Sequence, residues 1–233
     1  MFTPPPANCP LCPRLVAFRA ANAAQFPQFF NGAVPPFGSL DAQMLVVGLA
    51  PGLKGANASG RPFTGDFAGD VLYAALAKHG FASGKYDPSQ LMNTRDDGFT
   101  LHNVRITNAV RCVPPENKPT PLEEKTCNPF LINEIAAMPN LKLILSLGLT
   151  SHQAVLRTFK LKARDYKFAH GAVHRLGVRG EGSGVSKNAP HYPPNPIPYT
   201  LLDSYHTSRY NISTGRLTQA MFELVVAQAK AMI

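Results

Sequence analysis

Four cysteines are the residues of this 233-residue chain whose types and spacing point most directly to chemistry. Cys9 and Cys12 form a C-x2-C pair, and Cys112 and Cys127 follow with fourteen residues between them. A C-x2-C turn brings two sulfur atoms within reach of one ion, and two further thiolates complete a tetrahedral shell or bind an iron–sulfur cluster. The spacing predicts one four-thiolate metal site. It leaves zinc and iron–sulfur open, with zinc the commoner case and two disulfides a weaker third alternative.

The N-terminal segment MFTPPPANCP carries neither a basic region nor an apolar region of the kind found in signal peptides. Nothing in it directs the chain to an oxidising compartment, which weakens the disulfide alternative. No apolar stretch approaches the roughly 20 residues that a membrane-spanning helix needs. We therefore expect a soluble, cytoplasmic protein that consists of one domain.

The chain is strongly basic, with 23 lysines and arginines against 14 acidic residues and a formal net charge of +9. A basic surface attracts polyanions, because binding to a phosphate backbone releases condensed counterions. Charge alone does not separate nucleic acid from an anionic membrane, or either from a soluble protein that is merely basic.

Four short apolar runs predict buried parallel strands, and the segments between them predict helices. The predicted strands are Met44–Val47, Arg105–Val110, Leu141–Leu147 and Tyr199–Leu202. The predicted helices are Phe67–Lys78, Thr150–Phe159 and a last helix over Thr214–Met232. This alternation predicts a three-layer α/β/α domain, whose binding crevice lies at the carboxyl ends of the strands. The long irregular segment from Gly177 to Pro198 predicts a functional flap or local disorder.

Polar and glycine-rich loops follow these strands. Gly48 opens the loop GLAPG, which leads into GRPFTGD with Asp66 before the first predicted helix. Asn108 and His206 follow two other strands. Each has an ordinary structural alternative: Asp66 as a helix N-cap, Asn108 as a turn former, and His206 as a satisfied polar side chain. Phosphate-binding glycine motifs of nucleotide-cofactor enzymes are missing from the sequence.

Taken together, the segments GLAPG, GRPFTGD, TNAVRC, PPENKPTP and YHTSRYNISTGRLT stand in this order between the cysteines. With them the chain resembles family 5 uracil-DNA glycosylases, the UDGb branch of that superfamily, from CPLCPRLV at residue 9 to the last helix. The resemblance implies a uracil-DNA glycosylase-like fold with a central four-stranded parallel sheet. It also implies a 4Fe-4S cluster on the four cysteines, which ties the N-terminus of a single domain, residues 1–233, to residues 112–127.

The same resemblance implies an enzyme that flips a deaminated base out of double-stranded DNA and hydrolyses its N-glycosidic bond. Phe63 would stack on the flipped base, and Asn108 would bind its Watson–Crick edge. The backbone at the rim of the pocket would come from Gly48, Leu49, Ala50 and Gly52. We expect uracil as a substrate, and hypoxanthine as well, because Gly52 has no side chain with which to reject a larger base.

Two residues are candidates for catalysis. His206 would donate to the negative charge that develops on the departing base, and Asp66 would stabilise the cationic sugar and orient or deprotonate water. No lysine nucleophile is required, so we expect monofunctional hydrolysis without strand cleavage. Leu49 and Ala50 stand where other branches place a polar, water-activating residue, which leaves that role to Asp66. Thr207 replaces a proline of the usual motif, which loosens the loop.

The loop after His206 is expected to enter the minor groove, with Arg209 or Tyr210 filling the hole that the flipped base leaves. The predicted DNA contacts are Arg61, Ser208, Arg209, Tyr210 and Asn211, and further candidate phosphate contacts are Arg111, Lys118 and Arg216. We expect a monomer that binds DNA and no membrane. The alternative is a non-catalytic protein that binds DNA lesions and carries a four-cysteine metal site.

Overall fold

The computed structural model describes residues 2–87, 97–176 and 199–233. The predicted flap from Gly177 to Pro198 lies outside the described residues. The strands are β1 (Met44–Gly48), β2 (Ala82–Ser83), β3 (Thr100–Leu101), β4 (Val104–Asn108), β5 (Leu143–Leu147), β6 (Val173–Leu176) and β7 (Tyr199–Ser204). The helices are α1 (Pro13–Gln25), α2 (Ala56–Ser59), α3 (Phe67–Lys78), α4 (Pro121–Ala136), α5 (Leu149–Thr158), α6 (Arg209–Ser213) and α7 (Gln219–Ala231).

The central sheet has the strand order β4-β1-β5-β7-β6. The first four of these strands are parallel, as the sequence predicts. A fifth strand, β6, pairs antiparallel with β7 at one edge, so the sheet is larger than the predicted four strands. Because the four parallel strands point the same way, their carboxyl ends share one edge, where a crevice can form.

The sheet is buried on both faces, and most residues of its parallel strands are apolar. All five residues of β1 are buried, and so are those of β4, β5 and β7. Alternate side chains point to opposite faces. One face packs against α3 and α7, where Leu72 and Phe222 are fully buried, and the other packs against α4 and α5, where Leu131 and Val155 are fully buried. The fold is therefore the predicted three-layer α/β/α arrangement.

Most predicted elements lie within two residues of the observed ones, but the last helix begins five residues later than predicted. The predicted single helix over Thr214–Met232 is wrong at its start, because α6 ends at Ser213 and α7 begins at Gln219. Gly215 lies between them with φ of 70°, a left-handed conformation that ends helices. The hydroxyl of Thr218 then accepts a hydrogen bond from the Met221 N–H and caps α7.

Within the described ranges, every helix is too short or too polar to cross a membrane.

Candidate functional site

A cleft of about 720 Å³ opens at the carboxyl ends of β1, β4 and β7. Its lining includes Leu49, Ala50, Gly52, Phe63, Asp66, Asn108 and His206. These residues come from four separate stretches of the chain, and the sequence analysis selected all of them. The structure therefore gathers the candidate base-binding and catalytic side chains around one space.

Gly48 makes the floor of this cleft possible. It pairs with Asn108 across β1 and β4. A β-carbon at Gly48 would clash with Asn108 Oδ1 and would lie 2.6 Å from Cζ of Phe63. Only a residue without a side chain lets the Phe63 ring and the Asn108 amide come this close to the strand end. Gly48 itself is buried beneath these two groups.

Phe63 is held in a conformation that few residues adopt. Its φ is 58°, in the left-handed region, and its side chain is buried. Its carbonyl oxygen occupies the space that a β-carbon at Gly69 would fill. The preceding residue, Pro62, accepts a hydrogen bond of 2.5 Å from the hydroxyl of Tyr73. Strain of this kind persists only where the surroundings enforce it, and it is concentrated at functional sites.

Asn108 is buried, with an exposed fraction of only 3 %. Among the residues that the structure describes, its side-chain amide has no hydrogen-bond partner. The amide lines the cleft, so its donor and acceptor face a space that a ligand can fill. A buried amide in this position is suited to bind the edge of a planar base.

Asp66 stands directly before α3, but its side chain does not cap the helix. The carboxylate turns back toward the GLAPG loop and accepts backbone hydrogen bonds from Gly52 and Ala56. A β-carbon at Gly52 would lie 2.7 Å from both carboxylate oxygens, and one at Gly55 would overlap the carboxyl group. Burial raises the pKa of Asp66, and the two backbone hydrogen bonds oppose that rise.

The missing side chain of Gly52 makes room for the carboxylate of Asp66. That Gly52 also admits a larger base stays a prediction. The structural alternative for Asp66, a helix N-cap, does not describe the observed geometry.

His206 faces Phe63 across the cleft, with the two ring centroids 6.2 Å apart. Burial lowers the pKa of His206 to about 4, so the imidazole is neutral near pH 7. Two hydrogen bonds fix its loop: the buried Thr207 hydroxyl donates to the Ala68 carbonyl at 3.0 Å, and Asn211 Nδ2 donates to the His206 carbonyl at 2.8 Å. Thr207 thus ties this loop to α3.

The loop after His206 continues into α6. Ser208 accepts a hydrogen bond from the Asn211 N–H and caps this helix, so both side chains have local partners. The Arg209 guanidinium lies 4.9 Å from the centroid of the Phe67 ring. Tyr210 is 72 % exposed, one of the most exposed large apolar side chains that the structure describes.

Arg61 and Arg111, two of the predicted phosphate contacts, are buried. Arg61 is 5 % exposed, pairs with Asp97 at 2.7 Å, and donates through Nε to the Thr64 hydroxyl at 2.8 Å. Arg111 is 1 % exposed and pairs with Glu134 at 2.5 Å. Both guanidinium groups are buried and engaged in ion pairs within the protein, which does not favour a contact with DNA, and the two phosphate contacts stay predictions. Arg61 stabilises the strained turn at Phe63.

The four cysteines line one small cavity between α1, α4 and the segment after β4. All four are free, so no disulfide joins them. Burial and the neighbouring cysteines together raise the pKa of Cys12 to about 11 and that of Cys112 to about 12, although Arg19 opposes the rise at Cys112. Four neighbouring thiols, three of them buried, are a donor set that suits a metal centre, because a bound cation stabilises the thiolates.

The group of His152, His174 and Asp203 was not selected by the sequence analysis. Asp203 is fully buried at the end of β7 and bonds His152 Nδ1 at 2.9 Å, His174 Nε2 at 3.1 Å and the Ser146 hydroxyl at 2.6 Å. The other ring nitrogen of His152 faces the Tyr166 carbonyl at 2.9 Å. These contacts anchor the strand that leads to His206. An Asp inside an apolar strand is the signal that could have revealed them.

Comparison with known proteins identifies the family. Residues 35–230 match the model of the Uracil DNA glycosylase superfamily. The chain is 39 % identical to a Type-5 uracil-DNA glycosylase of Thermus thermophilus over 227 residues, which cover 95 % of this chain and 92 % of the relative. It is 35 % identical to a Type-5 uracil-DNA glycosylase of Pyrobaculum aerophilum, over 96 % of this chain and 88 % of the relative.

The chain belongs to the uracil-DNA glycosylase superfamily. A Type-4 uracil-DNA glycosylase of Archaeoglobus fulgidus is 32 % identical over only 61 % of this chain and 62 % of the relative. The similarity to these Type-5 enzymes thus extends over much more of the chain than the similarity to this Type-4 enzyme.

The burial of Arg61 generates a stability prediction. Replacing Arg61 with Met leaves the buried Asp97 carboxylate unpaired, and we expect the free energy of unfolding to fall by about 3 kcal/mol. Urea denaturation measures this change, and Arg209→Met, at an exposed site, serves as the control with an expected loss below about 1 kcal/mol. In the double variant Arg61→Met/Asp97→Asn, part of the loss should be recovered. Equal small losses in Arg61→Met and in the control would contradict the structural role.

Proposed function

We propose that this chain removes uracil from DNA by hydrolysing the bond between the base and the deoxyribose, which leaves an abasic site. The observation that carries the proposal is the shared cleft of Phe63, Asp66, Asn108 and His206. This cleft combines a stacking ring, a base-reading amide, a carboxylate and an imidazole. The names of the curated relatives, uracil-DNA glycosylases, support the same activity.

In this proposal the cleft binds a base that has been extruded from the duplex, because a stacked and paired base is out of reach. Phe63 stacks on the face of the uracil ring. The Asn108 amide donates to one atom of the base edge and accepts from its neighbour. Since this amide has no partner among the described residues, base binding breaks no hydrogen bond within the described site.

His206 acts on the departing base. Bond cleavage leaves negative charge on uracil, and an N–H donor already positioned in a desolvated site stabilises that charge. With its pKa near 4, His206 donates as a neutral imidazole, so its contribution does not depend on prior protonation. The bonds of Thr207 and Asn211 hold its backbone in place for this role.

Asp66 acts on the sugar. The carboxylate stabilises positive charge on the deoxyribose and orients or deprotonates the attacking water. It is the acidic side chain among the described residues that line the cleft. Its neighbours Leu49 and Ala50 are apolar, which leaves the water-activating role on this wall to Asp66. Gly52 and Gly55 provide both the space and, in the case of Gly52, a hydrogen bond that orients the carboxylate.

The surface around α6 would bind the DNA. Tyr210 is exposed beside the cleft and is the better candidate for the side chain that fills the gap left by uracil, because Arg209 already packs on Phe67. Arg209 lines the cleft and can contact a phosphate. Lys118 and Arg216 are exposed and remain candidate phosphate contacts.

The four cysteines would hold a 4Fe-4S cluster. Four free thiols, three of them buried and all lining one cavity, support a metal centre here, and the resemblance to family 5 enzymes implies that it is a 4Fe-4S cluster. When bound, the cluster supplies a rigid cross-link between the N-terminal segment and the chain after β4. No step of the hydrolysis uses it. The proposed partner is double-stranded DNA that contains uracil, acted on by a monomer.

The test of this function is the release of uracil from a duplex oligonucleotide with a single uracil, with abasic sites revealed by alkali. We expect Asp66→Asn and His206→Ala each to lower the single-turnover rate by about 100- to 1,000-fold with little change in DNA affinity. The controls are Asp165→Asn and His102→Ala, which replace exposed residues outside the cleft. No abasic sites with the unaltered protein would favour the non-catalytic alternative. Full rates in both cleft variants would contradict the assigned roles.

The pKa shifts predict the dependence of the rate on pH. Asp66 acts as a carboxylate with a raised pKa, so the single-turnover rate should fall as the pH drops through that raised value and protonates it. His206 stays neutral above about pH 4, so its own titration should cause no inflection in the rate between about pH 6 and pH 8. An inflection near the ordinary histidine pKa of about 6.5, present in the unaltered protein and absent from His206→Ala, would show that His206 titrates in this range.

The position of Tyr210 predicts a difference between duplex and single-stranded substrates. Tyr210→Ala should lower the excision rate on duplex DNA by about 10-fold, and on single-stranded DNA by much less, because only a duplex has a gap to fill. Arg209→Ala should lower the binding affinity for both substrates similarly, and it should reduce the salt dependence of binding. Ser213→Ala, an exposed change on the same helix, is the control. If Tyr210→Ala lowered the excision rate equally on both substrates, the proposal that Tyr210 fills the gap would be contradicted.

A further inference from the structure

Two buried arginines face the four thiols. Arg19 is 9 % exposed, and its Nη1 donates to the sulfur of Cys112 at 3.6 Å while its Nη2 donates to the Cys9 carbonyl at 3.1 Å. Arg111 lines the same cavity as the cysteines, and its backbone N–H donates to the Cys127 sulfur. Arginine is rarely buried to this extent without an anionic partner, and Arg19 has no carboxylate partner among the described residues.

Arg111 has hydrogen-bonding capacity that the protein does not use. One terminal nitrogen binds Glu134, but its Nε and Nη1 are buried and have no partner among the described residues. An unpaired buried donor on a charged group is costly. In a native protein such a donor indicates a partner that is not part of the polypeptide.

The charges around the thiols do not cancel. Glu134 is fully buried and shared by Arg105 and Arg111, which leaves one positive charge in excess. The other acidic residue here, Glu123, pairs with Arg14 and is neutralised by it. Arg19 adds a second excess positive charge. A centre with four thiolates and a 4Fe-4S core in its resting state is a dianion, so its charge equals this excess and has the opposite sign.

We propose that Arg19 and Arg111 are the charge partners of the cluster, and that they stabilise its dianionic state and set its reduction potential. The inference rests on the proposed 4Fe-4S cluster. Its basis is electrostatic: a buried charge requires a nearby opposite charge, Arg19 contacts the sulfur of Cys112, and Arg111 is the one charged side chain among the described residues that line the cavity. Their role is to tune the cluster rather than to act on DNA.

The experiment compares Arg19→Gln, which removes the charge, with Arg19→Lys, which keeps it. Each protein is analysed for iron and sulfide, and its cluster midpoint potential is measured by voltammetry. Arg164→Gln is the control, because it removes the same charge from an exposed position outside the cavity of the cysteines. We expect the potential to fall in Arg19→Gln, because loss of a positive charge favours the less negative oxidised state, and to change little in Arg19→Lys and the control.

Two results would support the proposal: a lower potential only in Arg19→Gln, or loss of iron and sulfide in Arg19→Gln with retention in Arg19→Lys. Equal potentials in both variants, or equal loss of the cluster in both, would overturn it. Zinc in place of iron in the purified protein would overturn the cluster and this inference together. Uracil release is assayed separately in every variant, so a failure here is distinguishable from a failure of the proposed glycosylase activity.

Discussion

The close approach of Phe63 and Asn108 over Gly48 is the constraint on which the site depends. It requires the parallel register of β1 and β4, which sets Gly48 opposite Asn108, and it requires the left-handed turn at Phe63. This turn depends on Gly69, which leaves space for the Phe63 carbonyl. It also depends on hydrogen bonds from the buried side chains of Arg61 and Tyr73. The hydrophobic sheet supplies the rigidity that makes this strained arrangement stable.

Strand β4 and the segment after it connect the cleft to the cysteine cavity. Asn108 ends β4 in the cleft, and Cys112 lies four residues further along the chain. Backbone hydrogen bonds from Ala109 to Gly48 and from Val110 to Leu49 keep this segment in line with the GLAPG loop. A metal centre on Cys112 would therefore immobilise the segment that carries the base-reading amide. This is a mechanical link between two regions that share no chemical step.

The parallel strands and the residues that line the cleft could be predicted from the sequence. Contacts that depend on tertiary structure could not. Buried parallel strands are continuous apolar runs, so Met44–Val47 and its counterparts were recognisable, and their loops converge because carboxyl ends share an edge. The burial of Arg111 depends on Glu134 in a helix that the sequence did not announce. The strand β6 was missed because only Leu176 of its residues is buried. The break before α7 depends on the conformation of Gly215.

The glycine beneath the cleft has an evolutionary consequence. Gly48 is buried under Phe63 and Asn108, and any atom added to it collides with one of them. Substitution of Gly48 is therefore blocked. New base preferences have to arise through the few side chains that line the cleft, Asn108 above all. Residues around such a site can diverge in sequence while the base selectivity of the site changes slowly.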